Sequence, residues 1–108
     1  MGISNIDFPH HRKVTAAIAR VRKKFPKDVV RITYSLGKDW EGEPTMFFDV
    51  VISDEARQRV TELGQLGRRI SFALDTEVRS GDYGFHKHLR LRSRAEYEAS
   101  KMREDIPA

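Results

Sequence analysis

Two alternating apolar runs joined by a short loop constrain this chain more than any other stretch. In Val29 to Leu36 the apolar residues Val30, Ile32, Tyr34 and Leu36 alternate with Arg31, Thr33 and Ser35. In Thr45 to Ile52 the residues Met46, Phe48, Val50 and Ile52 alternate with Thr45, Phe47, Asp49 and Val51. A period of two puts one set on a buried face and the other on the opposite face, so each run predicts a half-buried strand. The link Gly37 to Pro44 contains two glycines and a proline, which predicts a hairpin loop rather than a crossover.

What surrounds the hairpin reads as helices and one further strand. Pro9 to Phe25 carries Val14, Ala17, Ile18, Val21 and Phe25 at helical spacing, and Pro26 ends that helix. His10 and His11 find no partner in the sequence and are expected near a mobile terminus. Ser53 is an N-cap candidate, followed by Asp54 and Glu55 where the helix dipole favours acids. From there Ala56, Val60, Leu63, Gly64, Gly67, Ile70 and Leu74 keep helical spacing to Glu77, predicting one long helix. Ser80 to Gly84 is a turn, Phe85 to Ser93 a third strand, and Ser93-Arg94-Ala95-Glu96 a capping box. That box opens a short helix to about Arg103, with Ala95, Ala99 and Met102 on its stripe and residues 104–108 as a frayed tail. The 108 residues suffice for one core and not two, so the expectation is a single α+β domain of order α, β, β, α, β, α. Its three-stranded sheet would carry the helices on one face, in a KH-like or split ferredoxin-like arrangement. The expected core holds Val14, Ile18, Val21, Ile32, Tyr34, Phe48, Val50, Val60, Ile70, Leu74, Leu89 and Leu91.

Charge is segregated along the chain. Residues 1–38 carry nine Lys or Arg against two Asp, residues 39–55 carry six acids and no base, and the remainder carries eleven bases against eight acids. Such a bipolar chain suits nucleic acid through its basic parts or a protein partner through either pole. There is no cysteine, and no apolar run nears the length that spans a bilayer. The N-terminal residues lack the apolar core of a signal peptide, so the expected location is cytoplasmic, away from membranes.

The third strand divides unusually. Phe85, Leu89 and Leu91 share a face with Lys87, whereas His86, His88, Arg90 and Arg92 form a basic row on the other. With Arg31 and Phe47 beside it, such a row matches the way sheet faces stack bases and track phosphates, and the histidines would add charge at low pH. The same charges would equally guard an edge strand. His86 and His88 together with Asp49 also have the makings of a metal site, but Lys87, Arg90 and Arg92 repel a divalent ion, so no metal is expected.

Gly64-Gln65-Leu66-Gly67, followed by Arg68-Arg69-Ile70, admits two readings. The pattern Gly-x-x-Gly-x-x-Ile, in this order of elements, resembles the prokaryotic type of KH domain. That resemblance implies a glycine loop between two helices gripping an RNA backbone, with Arg68 and Arg69 beside it. Alternatively both glycines lie on the buried stripe of one continuous helix, where Gly67→Ala would clash with the sheet.

Asp39, Trp40 and Glu41 stand in the acidic hairpin loop, where the tryptophan either folds onto the core or anchors a partner. Ser35 to Glu55 also resembles a family of small uncharacterised bacterial proteins. That resemblance implies a setting beside toxin-like ribonucleases, hence a partner subunit such as the antidote of a toxin–antitoxin pair. No phosphate-binding loop, nucleophile motif or paired carboxylates point to catalysis, and no cofactor is expected. The leading expectation is a non-catalytic module that binds RNA, with the protein-partner subunit as the alternative.

Overall fold

A computed structural model describes residues 7–104, apart from the side chains of Val60 and residues 102–104. The expectations for Val60, Met102 and the tail beyond Glu104 lie outside the described residues. The elements run α1 (His11–Lys24), β1 (Val29–Lys38), β2 (Pro44–Ile52), α2 (Asp54–Gln58), α3 (Val60–Glu77), β3 (His86–Ser93) and α4 (Arg94–Glu104), with a 3-10 turn at Ser80–Tyr83 before β3. This is the expected α+β order around a three-stranded sheet.

β2 lies at the centre of the sheet. It pairs antiparallel with β1, from Lys38↔Pro44 to Val29↔Ile52, so the hairpin tip shrinks to residues 39–43. A register shift between Val29 and Arg31 turns Val29 into the core and leaves Val30 half-buried. β3 pairs with the other edge of β2 in parallel, from Thr45↔His86 to Ile52↔Ser93. A parallel pair needs a long crossover, and α2 with α3 supplies it.

The alternation sets the core. Ile32, Tyr34, Met46, Phe48, Val50 and Ile52 point to the side covered by Val14, Ala17, Ile18 and Val21 of α1 and by Leu66, Ile70 and Leu74 of α3. Leu89 and Leu91 pack half-buried at the margin. Lys87 shares their side because its ammonium finds partners on α3: Asp75 Oδ1 at 2.7 Å and the Ser71 carbonyl at 3.1 Å. Arg20 and Lys24 of α1 hold Glu77 of α3 at 2.8 and 3.2 Å. The hydrogen bond from Arg20, then that from Lys24, draws the Glu77 carboxyl below the usual carboxylate range.

His11 is not loose at a terminus. Its Nδ1 lies 2.6 Å from the Tyr34 hydroxyl, whose ionisation burial pushes upward, and the His10 ring sits 4.7 Å from that of Tyr83. His11 is held because the start of α1 lies over Tyr34 of β1, and His10 because the 3-10 turn brings Tyr83 beside it. No helix among the described residues is long and apolar enough to cross a membrane.

The expected single long helix is two. Ser53 caps α2 as predicted, its Oγ accepting the Ala56 N–H at 3.2 Å, but the helix breaks at Arg59 (φ −79°, ψ 67°). Arg59 fastens the corner through Asp28 and through Glu62 at 3.3 Å, while the Asp28 carbonyl accepts the Ser53 N–H at 2.8 Å. The break lets a chain leaving the end of β2 turn back across the sheet.

Gly64 and Gly67, by contrast, lie inside α3, and Leu66 rather than Gly64 faces the core. A methyl at Gly67 would come 3.9 Å from Leu91 Cδ2, an ordinary contact, and one at Gly64 would be 4.0 Å from Arg68 Nη1. The clash expected for Gly67→Ala therefore has no steric basis. Gly64→Ala and Gly67→Ala should each raise stability by up to about 1 kcal/mol through helix propensity. Urea unfolding checks this, and a lower midpoint for Gly67→Ala would mean that α3 sits closer to β3 than these distances allow.

Candidate nucleic-acid interface

Because helices α1 and α3 cover one side of the sheet, the alternate residues of all three strands share the other. Register arranges them in rows across β1, β2 and β3: Gly37, Thr45 and His86; Ser35, Phe47 and His88; Thr33, Asp49 and Arg90; Arg31, Val51 and Arg92. Neighbouring strands stand about 4.8 Å apart and alternate residues about 6.5 to 7 Å apart along each strand. The sheet thus brings His86, His88, Arg90, Arg92, Arg31 and Phe47 onto one surface.

Phe47 is the centre of that surface. Its ring meets His88 edge-on, with centroids 5.5 Å apart and planes at 66°. On the other side a methyl at Gly37 would lie only 3.3 Å from Phe47 Cε2, so the glycine lets the ring lie low over β1. Thr33, Ser35, Asp49, His88 and Arg90 border an open depression of about 410 Å³ around Phe47. His86, His88 and Arg90 are exposed, and among the described residues Arg90 has no ion-pair partner.

Arg92 differs from the other members of the basic row. It is 12% exposed and grips both carboxylate oxygens of Asp49, with Nε 3.2 Å from Oδ1 and Nη2 closer still to Oδ2. Its charge is committed to that fork, and Asp49, the acid that a metal site with His86 and His88 would need, is taken up by it. Tyr97 of α4 lies over this end of the surface, so the expectation of helices on one face only is corrected. α1 and α3 share a side, whereas α4, turned back by the caps at its start, covers the end of the other. The Arg92 guanidinium stands 5.2 Å from its ring centroid, that of Arg31 5.8 Å, and Arg31 Nη1 donates to the Tyr97 hydroxyl at 3.2 Å. Val51, between the two arginines in the register, is buried.

The first turn of α4 is held from within its capping box and from α2. Ser93 Oγ accepts the Glu96 N–H at 3.0 Å, and Asp54 Oδ1 accepts the Ala95 N–H at 3.1 Å. A hydrogen bond from Arg57, 3.1 Å away, is the main reason that the Glu96 carboxyl lies below its usual range. Sequence pattern alone misses Tyr97 as part of the surface, although it is the only aromatic residue of α4.

Arg68 and Arg69 lie elsewhere, exposed on α3. The Arg69 guanidinium stands 5.4 Å from the centroid of the Phe25 ring. No loop forms at Gly64 to Gly67, so these arginines flank a helical turn and not a glycine loop. Asp39, Trp40 and Glu41 form the hairpin tip, with Trp40 91% exposed and away from the core. Comparison of the chain with family models, with curated proteins and with solved structures finds no match.

Proposed function

We propose that this chain binds single-stranded RNA across the sheet face opposite α1 and α3, on the part that α4 leaves open. The observation that supports this most is the Phe47–His88 ring pair standing in an open depression beside exposed Arg90. Rings on a rigid sheet stack on bases irrespective of their identity, and a neighbouring cation meets the backbone phosphate. Arg90 and Arg31 supply permanent positive charge, and His86 extends the row. The exposed hydroxyls of Thr33 and Ser35 border the depression, where a ribose 2′-hydroxyl would find donors and acceptors. Arg92 contributes indirectly: with Asp49 it fixes the β2–β3 side of the surface, and under Tyr97 it closes one end.

The test is a titration of a short oligouridylate with the full chain over a salt series, with the 2′-deoxy oligomer as a second arm. Binding should weaken as salt rises, with a log-log slope of about −0.7 per phosphate contacted, and should favour the ribose form. Equal binding of both oligomers would remove the role given to Thr33 and Ser35; no binding at low salt would overturn the reading.

A substitution separates folding from binding at this surface. Asp49→Asn keeps an oxygen for Arg92 but removes the charge opposite a guanidinium that is largely buried. It should cost about 1 to 3 kcal/mol of stability and, by making the face more positive, tighten RNA binding. Unchanged affinity in a folded Asp49→Asn protein would mean that the phosphates do not run past this position.

A further inference from the structure

Two large apolar side chains stand out from the surface among the described residues, Trp40 at 91% and Phe72 at 72% exposure, and each is set in charge of opposite sign. Trp40 occupies the hairpin tip with Asp39, Glu41 and Glu43. That tip is knitted together. Asp39 Oδ1 accepts the N–H groups of Glu41 and Glu43, each at 2.9 Å, and its backbone N–H and C=O bond to Glu43 and Gly42, each at 3.0 Å. Gly42 takes the left-handed conformation that closes it (φ 82°). The indole is therefore presented from an ordered base, which lowers the entropy lost when it docks.

Phe72 lies on α3, where Phe25, Arg68, Arg69 and Ala73 line a depression of about 410 Å³ between α3 and the end of α1. Its rim is basic. Glu77 neutralises Arg20 and Lys24, but among the described residues Arg68 has no acidic partner and Arg69 meets only the Phe25 ring. An aromatic floor rimmed by guanidinium groups receives an indole by stacking and by cation–π contact, and the carboxylates around that indole complete it.

We infer that the Trp40 tip of one copy of this chain docks in the Phe25–Phe72 depression of a second copy. Both halves are carried by every molecule and their charges are complementary. The contact joins unlike patches, so it closes as a reciprocal two-fold pair or a ring, or propagates from copy to copy. One aromatic anchor buries about 150 to 250 Å² of its own surface, small beside a standard interface, so association is weak, concentration-dependent and salt-sensitive. The surface used is separate from the Phe47 face, and the inference stands whether or not RNA binds there.

Trp40 is the only tryptophan, so its emission reports the contact directly. With rising concentration of the full chain, sedimentation equilibrium should show the average mass climb while the emission shifts to the blue, both reversed by salt. Trp40→Ala, Phe72→Ala and Arg68→Glu with Arg69→Glu alter exposed side chains, and each should weaken self-association by more than about tenfold. Mixing is the stricter arm. Trp40→Ala keeps the depression and Phe72→Ala keeps the tip, so an equimolar mixture should recover one contact per pair and the blue shift that neither variant shows alone. A parent protein that stays monomeric at millimolar concentration, a Trp40→Ala protein that associates like the parent, or a mixture that recovers nothing would each overturn the inference.

Discussion

Phe48→Ala should cost about 3 to 5 kcal/mol of folding free energy, the loss expected when a large aromatic is cut from a closed core. Phe48 is 1% exposed, on the central strand, opposite Tyr34 of β1 and Leu89 of β3 in the register. Neither edge strand can move in to fill the space without giving up its pairing with β2. Domains of this size have only about 5 to 15 kcal/mol in total, so the variant should unfold at markedly lower urea and temperature. A loss below about 1 kcal/mol would mean that the core is not organised around β2.

The preceding residue in the chain should behave in the opposite way. Phe47→Ala combined with Arg90→Glu should leave a folded protein and remove most RNA binding. A ring stacked on a base is worth about 1 to 3 kcal/mol, and a glutamate in place of Arg90 would repel a phosphate there. Phe47 is half-buried and shields Gly37, so a small stability cost, about 1 kcal/mol or less, accompanies the loss of binding. Anisotropy of a labelled oligouridylate measures the binding and thermal unfolding the stability. The contrast between Phe47 and Phe48 follows from strand alternation: adjacent residues point to opposite faces, one into the core and one onto the face where RNA binding is proposed.

That alternation is why so much was legible. Tyr34, Phe48 and Val50 are buried, and Thr33, Ser35 and Arg90 exposed, as a period of two requires once one face meets helices. Caps were readable too, because Ser53 and Ser93 act within their own next turn. Features created by pairing across the fold were not. The parallel register of β2 with β3 brings Asp49 to Arg92, and nothing local in either strand announces that Arg92 is committed to the fork and Arg90 is not. Lys87 is out of place among Leu89 and Leu91 until Asp75 and Ser71 come opposite it in the fold.

The helix break was hidden for the same reason. Ala56-Arg57-Gln58-Arg59-Val60 contains only residues that continue a helix, and the turn at Arg59 is set by Asp28 from another part of the chain. Gly64 and Gly67 weaken a helix by nature, yet α3 runs through them unbroken. Tyr97 joins the surface only because Asp54 and Ser93 fix where α4 begins.

On the proposed reading RNA meets the sheet face opposite α1 and α3, and not the basic helical side. Amide chemical-shift mapping during titration with an oligouridylate at low salt tests it most directly. Shifts should concentrate at residues 31–35, 45–51 and 86–92, with α1 and the Arg68–Arg69 turn of α3 unmoved. Shifts centred on Arg68, Arg69 and the C-terminal end of α1, or none anywhere, would contradict it.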